Sequence, residues 1–225
     1  MFRDKIIPYL AGNFYKPVLR RYLSRERMYR YRGISMAIPP EVFHPGFFFS
    51  TKLLLQYLRQ LPLQNRSLLE LGAGSGLISL SAARAGAAVT ATDINPIAIQ
   101  YLQQNSRRNG IEMNIIESDL FDAIPFRGYD LVVINPPYYF KAPASMAEHA
   151  WYCGNEGEYF QRLFAGLGNY LHKKTVTLMI LCEGCEQERI KGMAMEAGYH
   201  LHLVHSSRNL IERNDIYEIR KQETA

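Results

Sequence analysis

Ser67-Leu68-Leu69-Glu70-Leu71-Gly72-Ala73-Gly74-Ser75-Gly76 decides how this chain is to be read. The first five residues are apolar apart from Glu70 and the leading serine, and they read as a strand. The next five hold three glycines and read as a tight turn. A helix follows to about Ala85, closed by Gly86. Strand, glycine-rich turn and helix follow in order, and the glycines let the chain bend sharply and let a ligand approach the backbone. Gly72, Gly74 and Gly76 are spaced GxGxG, not the GxGxxG of the dinucleotide fingerprint, which points away from a nicotinamide cofactor.

Downstream the alternation continues. Ala87 to Thr92 is a second strand ending in Asp93, 23 residues past Glu70, where α/β nucleotide sites place a carboxylate for ribose hydroxyls. Asn95 caps a helix with Pro96 at its first position, and Gly110 closes it. Met113 to Glu117 is a third strand, followed by Ser118-Asp119-Leu120-Phe121. Tyr129 to Ile134 is a fourth, buried strand. Residues 139–157 read as a long loop, Phe160 to Leu171 as a helix, Thr175 to Leu181 as a fifth strand and Gln187 to Ala197 as a helix. Tyr199 to His205 and Asp215 to Ile219 alternate and pair as a terminal hairpin. The fold class is α/β with a mostly parallel sheet.

The fourth strand is stopped by Asn135-Pro136-Pro137-Tyr138. Two prolines stiffen the backbone and take it out of the sheet. An Asn oxygen and a rigid carbonyl are then two acceptors held together at a strand's C-terminal end, the edge where open α/β sheets bind ligands. Two acceptors suit a planar –NH2 group, and Tyr138 offers an aromatic face for a flat group. The tetrapeptide resembles the NPPY motif of class I methyltransferases that use S-adenosylmethionine to methylate planar nitrogens. Glu70–Gly76 resembles the first cofactor motif of that group. The resemblance covers roughly residues 43–220 and implies a Rossmann-like, seven-stranded sheet with a C-terminal antiparallel hairpin. It also implies that Glu70, Gly72, Gly74, Gly76, Asp93, Asp119 and Leu120 bind the cofactor. Asp93 would meet the ribose, and Asp119 the adenine amine. Asn135, Pro136, Pro137 and Tyr138 would be catalytic.

The 225 residues are 48% hydrophobic with a net charge of +5, suited to one α/β domain and a small extension. The charge is uneven. Residues 1–32 carry nine basic and two acidic side chains, and the rest of the chain sums to −2. Residues 1–42 read as a basic N-terminal extension, with one or two helices over residues 1–32 in which Tyr, Leu and Phe interleave with arginines, and a bend-rich segment from residue 33. It is open to two readings: a phosphate- and base-gripping surface, or an amphipathic helix docked on the body. Residues 43–225 form the catalytic domain. Ser50 reads as the N-cap of a helix to about Gln60; the resemblance implies that Ser50 or Thr51 is a candidate polar contact to the cofactor.

His44 reads as a loop histidine. His200, His202 and His205 read as surface residues, with the first two on one side of a strand and the third on the other. Cys153, Cys182 and Cys185 fit a reducing compartment. Cys182-Glu183-Gly184-Cys185 has CxxC spacing without a second pair, so no metal is expected. No apolar run reaches membrane-spanning length and Met1 to Lys5 opens no clean leader, so a cytoplasmic protein away from membranes is expected.

Two substrates compete. Ala150-Trp151-Tyr152-Cys153-Gly154-Asn155-Glu156-Gly157 resembles an AWxGGxxG segment of release-factor glutamine methyltransferases, with Cys153-Gly154 where two glycines are usual. That favours a protein glutamine. The basic extension favours an RNA or DNA base amine, and contact with RNA or the ribosome. A non-catalytic cofactor-binding module is the reading from another class. Trp151 is open as core or as substrate platform.

Overall fold

The computed structural model describes residues 24–46 and 49–222. Two strands, β1 (Arg27–Tyr31) and β2 (Ile34–Ile38), come first. Helix α1 (Phe49–Leu58) leads to β3 (Ser67–Leu71), α2 (Leu77–Arg84), β4 (Ala88–Asp93), α3 (Pro96–Asn109), β5 (Asn114–Glu117) and β6 (Tyr129–Ile134). A 3-10 turn (Met146–Ala150), α4 (Glu158–Leu167), β7 (Leu171–Cys182), α5 (Gln187–Glu196), β8 (Tyr199–Arg208) and β9 (Arg213–Lys221) complete the order. The main sheet runs β5-β4-β3-β6-β7-β9-β8. Strands β3 to β7 are parallel, and β9 joins β7 antiparallel as part of the expected C-terminal hairpin.

The period-2 pattern of the strands sorts their side chains into two cores. Leu68, Val89, Leu131, Val133, Leu178, Ile180 and Ile216 pack with Leu53, Leu54, Leu77, Leu80 and Leu102 of α1, α2 and α3. Leu69, Leu71, Val132, Ile134, Met179, Leu181, Tyr217 and Ile219 pack with Phe160, Leu163, Phe164 and Ile190 of α4 and α5. Alternate residues of one strand therefore serve opposite faces, as a sheet covered on both sides requires. The strand order turns outward in both directions from β3 and β6. The chain after β3 and the chain after β6 emerge side by side at that switch point.

Three expectations need correction. Part of the extension is a β-hairpin, not helix. Arg27, Tyr29 and Tyr31 are half-buried and alternate with exposed Met28 and Arg30. Arg32 and Gly33, at φ 47° and 82°, form the two-residue turn that joins β1 to β2. The helices expected over residues 1–23 lie outside the described residues. Ser50 is not an N-cap. It sits inside α1, buried, and its Oγ has no hydrogen-bond partner. Finally, the three histidines share one face. A register shift between Leu203 and His205 pairs His205 with Ile216, while His202 pairs with Glu218 and His200 with Arg220. The extra residue at the shift reverses the side-chain parity.

The hairpin is fastened to the body by two side-chain amides. Asn105 Oδ1 accepts from Ala37 N (2.8 Å), and its Nδ2 donates to the carbonyls of Ala37 and Ser75 (3.0 Å each). One turn on, Asn109 Oδ1 accepts from Ser35 N (3.0 Å) and Nδ2 donates to Ser35 O (2.9 Å). Two asparagines at i and i+4 of α3 thus act as a partner strand for the free edge of β2.

Candidate active site

The glycine turn after β3 is built as its residue types require. Gly72, Gly74 and Gly76 all have positive φ. A Cβ at Gly76 would lie 2.1 Å from Leu102 Cδ1, so that glycine lets α2 approach α3. A Cβ at Gly72 would meet nothing within 4 Å, because it would stand in open space. Ala73 N donates to Thr92 O (2.8 Å), tying the turn to β4.

Asp93 ends β4 and accepts from two backbone amides: Gly74 N to Oδ2 (2.8 Å) and Asn95 N to Oδ1 (2.9 Å). It thereby also fixes the turn, a role the spacing did not reveal. Burial pushes its pKa up, against the pull of those amides. Glu70 is buried, and its carboxyl takes the Ser79 hydroxyl of α2. Desolvation raises it to about 8, so it is held as the neutral acid at neutral pH. Asn95 caps α3 by accepting from Ile97 N (2.9 Å), with Pro96 in the first turn as expected.

Asp119 follows β5 and is half-buried. Its Oδ2 lies 2.5 Å from Arg162 Nη1, and Arg162 reaches Asp122 at 3.0 Å through its other terminal nitrogen. Arg162 comes from α4, 43 residues on, and no sequence signal marked it. Leu120 is buried at φ 51°, a strained backbone for a leucine. The Ser118 hydroxyl donates to Leu120 O and accepts from Ala123 N (3.0 Å each), which holds that turn.

At the end of β6, Asn135 Nδ2 donates to Thr51 Oγ1 of α1 (3.4 Å). This turns Oδ1 away from Thr51 and leaves it as the free acceptor. Among the described residues no hydrogen bond forms to the Pro136 carbonyl. Tyr138 is 9% exposed and packs edge-on against Tyr139. Burial, then the neighbouring Cys182, raise its hydroxyl's pKa.

Residues 139–157 are stitched to the motif rather than loose. Tyr139 N donates to Trp151 O (3.1 Å), Cys153 N to Tyr139 O (2.9 Å) and Gly154 N to Lys141 O (3.1 Å). Gly154 and Gly157 use positive φ, whereas Cys153 does not, so a cysteine is accommodated where the resembling segment has glycine. Trp151 is half-buried, its ring 5.2 Å from Phe43. His44 is buried, with Nδ1 accepting from Gly46 N (3.1 Å), and burial lowers its pKa.

These pieces meet in one open cleft of about 260 Å³. Glu70, Gly72, Gly74, Asp93, Asp119, Leu120, Asn135, Pro136, Pro137 and Tyr138 all line it; Gly76 stands behind. The turn after β3 and the terminus of β6 thus meet in one cleft although about sixty residues separate them. Thr51, Trp151, Tyr159 and Arg162 also line it. Among the described residues no cluster is placed to hold a metal ion. No helix among them is long and apolar enough to cross a membrane.

A glycine cradle, an acidic residue at the end of β4 and an Asn-Pro-Pro-Tyr terminus on β6 define a Rossmann-like nucleotide-cofactor enzyme of the methyl-transfer class. The family model described as "Methyltransferase small domain" matches residues 36–151, and the chain belongs to that family. It is 34% identical over 157 residues to a provisionally named protein N5-glutamine methyltransferase of Methanocaldococcus jannaschii, covering 66% of this chain and 76% of that one. It is 35% identical over 124 residues to the release factor glutamine methyltransferase of Bordetella pertussis, covering 52% of this chain and 45% of that enzyme. The E. cuniculi Mtq2–Trm112 complex, responsible for methylation of the eRF1 translation termination factor, superposes with a TM-score of 0.62 at 21% identity, over 81% of this chain and 99% of that one. The T. thermophilus 16S rRNA N2 G1207 methyltransferase (RsmC), solved with AdoMet and guanosine, superposes at 0.60 and 20% identity, over 87% and 50%. The protein is a methyltransferase, and its cofactor is S-adenosylmethionine.

The cleft suits that cofactor. The open space at Gly72 leaves room for a ligand against the backbone. The first turn of α2 presents amide groups suited to a carboxylate. Asp93 keeps acceptor capacity beyond its two amide bonds for a pair of hydroxyls.

Proposed function

We propose that this chain methylates the side-chain amide nitrogen of a glutamine in a protein, of the release-factor type. The observation that carries the reading is the paired acceptor at the end of β6. Asn135 is oriented by Thr51, and the Pro136 carbonyl beside it is unengaged. Tyr138 supports an amide over a base. Only 9% exposed, it offers little open face for a purine to stack on, whereas a glutamine amide needs only a narrow slot. The similarity to glutamine methyltransferases points the same way.

S-adenosylmethionine supplies an electrophilic methyl group on a sulfonium. The chain supplies placement. An amide nitrogen is a weak nucleophile because its lone pair is delocalised into the carbonyl. Asn135 Oδ1 and the Pro136 carbonyl accept its two N–H bonds, which aims the lone pair and stabilises positive charge developing on nitrogen. The prolines keep both acceptors fixed, so nothing reorganises as charge appears. Gly72, Gly74 and the first turn of α2 hold the amino-acid end of the cofactor. Asp93 holds the ribose. Asp119 takes the adenine amine through the oxygen that Arg162 leaves free. The proton departs to water.

The test is transfer of labelled methyl into cell extract, with nuclease or protease treatment. Label that survives nuclease and maps to a glutamine supports the reading. Label lost to nuclease replaces it with a base-amine enzyme, which the basic residues of segment 1–32 favour. Asn135→Ala should lower turnover at least ~10²-fold, the scale of removing one preorganised acceptor. Near-normal turnover in a folded variant would sink the mechanism.

A further inference from the structure

Helix α4 brings to the cleft one charged side chain that the methyl-transfer chemistry does not call on. Among the described residues that line the cleft, Glu41, Glu70, Asp93, Asp119 and Glu158 carry carboxyl groups, and Arg162 is the one arginine or lysine. Its Nη1 lies 2.5 Å from Asp119 Oδ2, and its Nη2 lies 3.0 Å from Asp122 Oδ2. The guanidinium therefore bridges two carboxylates through two different nitrogens, which fixes its plane as a single contact would not.

Both ends of the bridge stand on ordered backbone. Arg162 belongs to a helix seated by buried Phe160, Leu163, Phe164 and Leu167. The start of that helix is tied to the segment before it, with Tyr159 N donating to Cys153 O (3.0 Å) and Gln161 Nε2 to Glu156 O (3.1 Å). Asp119 stands on the turn that the Ser118 hydroxyl holds. The Asp119 side chain is a different matter. Among the described residues, the one hydrogen bond to its carboxylate comes from Arg162. That bond takes Oδ2 and leaves Oδ1 as an acceptor. The two side chains are 47% and 41% exposed, so the pair adds little to the stability of the fold. What it provides is placement.

We propose that Arg162 is a positioning residue for the cofactor: it fixes the Asp119 carboxylate towards the cleft and so gives the site its preference for an adenine amine over a 6-oxo purine. The proposal rests on the placement of adenine at Asp119 in the function proposed above. An ionised carboxylate accepts hydrogen bonds and donates none. It matches the N–H groups of an amine and opposes a carbonyl oxygen at the same position. Such a preference depends on the carboxylate staying where it is. A mobile one turns away from the wrong oxygen, or onto a neighbouring ring N–H, at little cost.

The test is calorimetry on the full chain with two ligands, S-adenosylhomocysteine and its 6-oxo counterpart S-inosylhomocysteine, so no methyl acceptor is needed. Arg162→Gln should bind the adenosyl ligand about five- to tenfold more weakly, the scale of ordering one side chain on binding rather than beforehand. The inosyl ligand should change by less than about twofold, and the urea midpoint should stay in place, as for a half-exposed pair. Arg162→Lys keeps the charge without the planar fork and should fall between wild type and Arg162→Gln. Equal weakening of both ligands would mark a merely structural role and overturns the proposal, as does unchanged affinity for the adenosyl ligand. Asp119→Ala separates this role from the placement beneath it. If that variant keeps the preference for the adenosyl ligand, adenine does not lie at Asp119, and the placement and the proposal fall together. If Asp119→Ala loses the preference and Arg162→Gln keeps it, the role of Arg162 alone is refuted.

Discussion

Asn105→Ala tests whether the N-terminal hairpin is structurally part of the cofactor site. Asn105 is fully buried and makes three hydrogen bonds: to Ala37 N, Ala37 O and Ser75 O. Truncation leaves three backbone groups without partners. Each buried orphan costs roughly 1–3 kcal/mol, and such costs do not add in full. A total of about 3–5 kcal/mol follows, a large share of a typical ~5–15 kcal/mol stability. Urea unfolding reads this directly. With a slope near ~2 kcal/mol/M the midpoint should drop by about 2 M. Asn109→Ala is the internal comparison. Asn109 makes similar bonds to Ser35, but it is half-buried, so water replaces them and the cost is about 1 kcal/mol. Because Ser75 belongs to the glycine turn, the folded Asn105 variant should also bind S-adenosylmethionine about fivefold or more weakly by calorimetry. A midpoint shift no larger than that of Asn109→Ala would refute the reasoning. Unchanged cofactor binding would refute the link between hairpin and site.

Glu70→Gln should flatten the pH dependence of stability. The folded acid is raised to about 8 from 4.5, so the native state holds a proton that the unfolded state releases between those values. Wild-type stability should therefore be greatest below about pH 4.5 as far as this group contributes, and should fall by a few kcal/mol as pH rises to about 8. Equal urea midpoint slopes for the two proteins from pH 5 to 8 would show that Glu70 is not the cause. Gly72→Ala and Gly76→Ala should separate binding from packing. The first puts a methyl into open space beside the cleft and should weaken cofactor binding at least tenfold, with only the ~1 kcal/mol strain of its positive φ. The second forces Leu102 aside and should cost about 2–4 kcal/mol in thermal or urea unfolding. The opposite pattern would mean the cofactor does not lie against Gly72.

What is legible in the sequence is local. The glycine turn, the Asn95 cap, the proline stop after β6 and the period of the strands all lie within a few residues of what they determine. The parallel sheet and its terminal hairpin follow from their order. What is not legible crosses long separations or depends on one inserted residue. Asn105 holds Ala37 across 68 residues, and Arg162 holds Asp119 across 43. Nothing in an asparagine on a polar helix announces that its amide replaces a β-strand. The composition of Arg27 to Tyr31, aromatics among arginines, suggests a helix; the exposed-buried alternation and the Arg32-Gly33 turn are the better signals. The shared face of His200, His202 and His205 depends on the shift in β8, which no residue type marks.

At the motif that ends β6, the local sequence shows the stiff backbone but not what supports it. Two prolines stiffen a backbone, yet stiffness alone does not aim an amide. Asn135 is turned by Thr51 of α1, from the side of one core. Tyr138 is seated in the other core. Tyr139 is drawn by its amide to the Trp151 carbonyl of the segment that covers the cleft. The four residues are therefore held from both faces of the sheet and from above, each through a different contact. In the proposed function, preorganisation of this kind is what lets two neutral oxygens serve without a general base, because the acceptors cannot relax away. Loosening one of the supports would leave the acceptors present but misplaced, and misplacement near 1 Å is enough to cost about 10²-fold in rate.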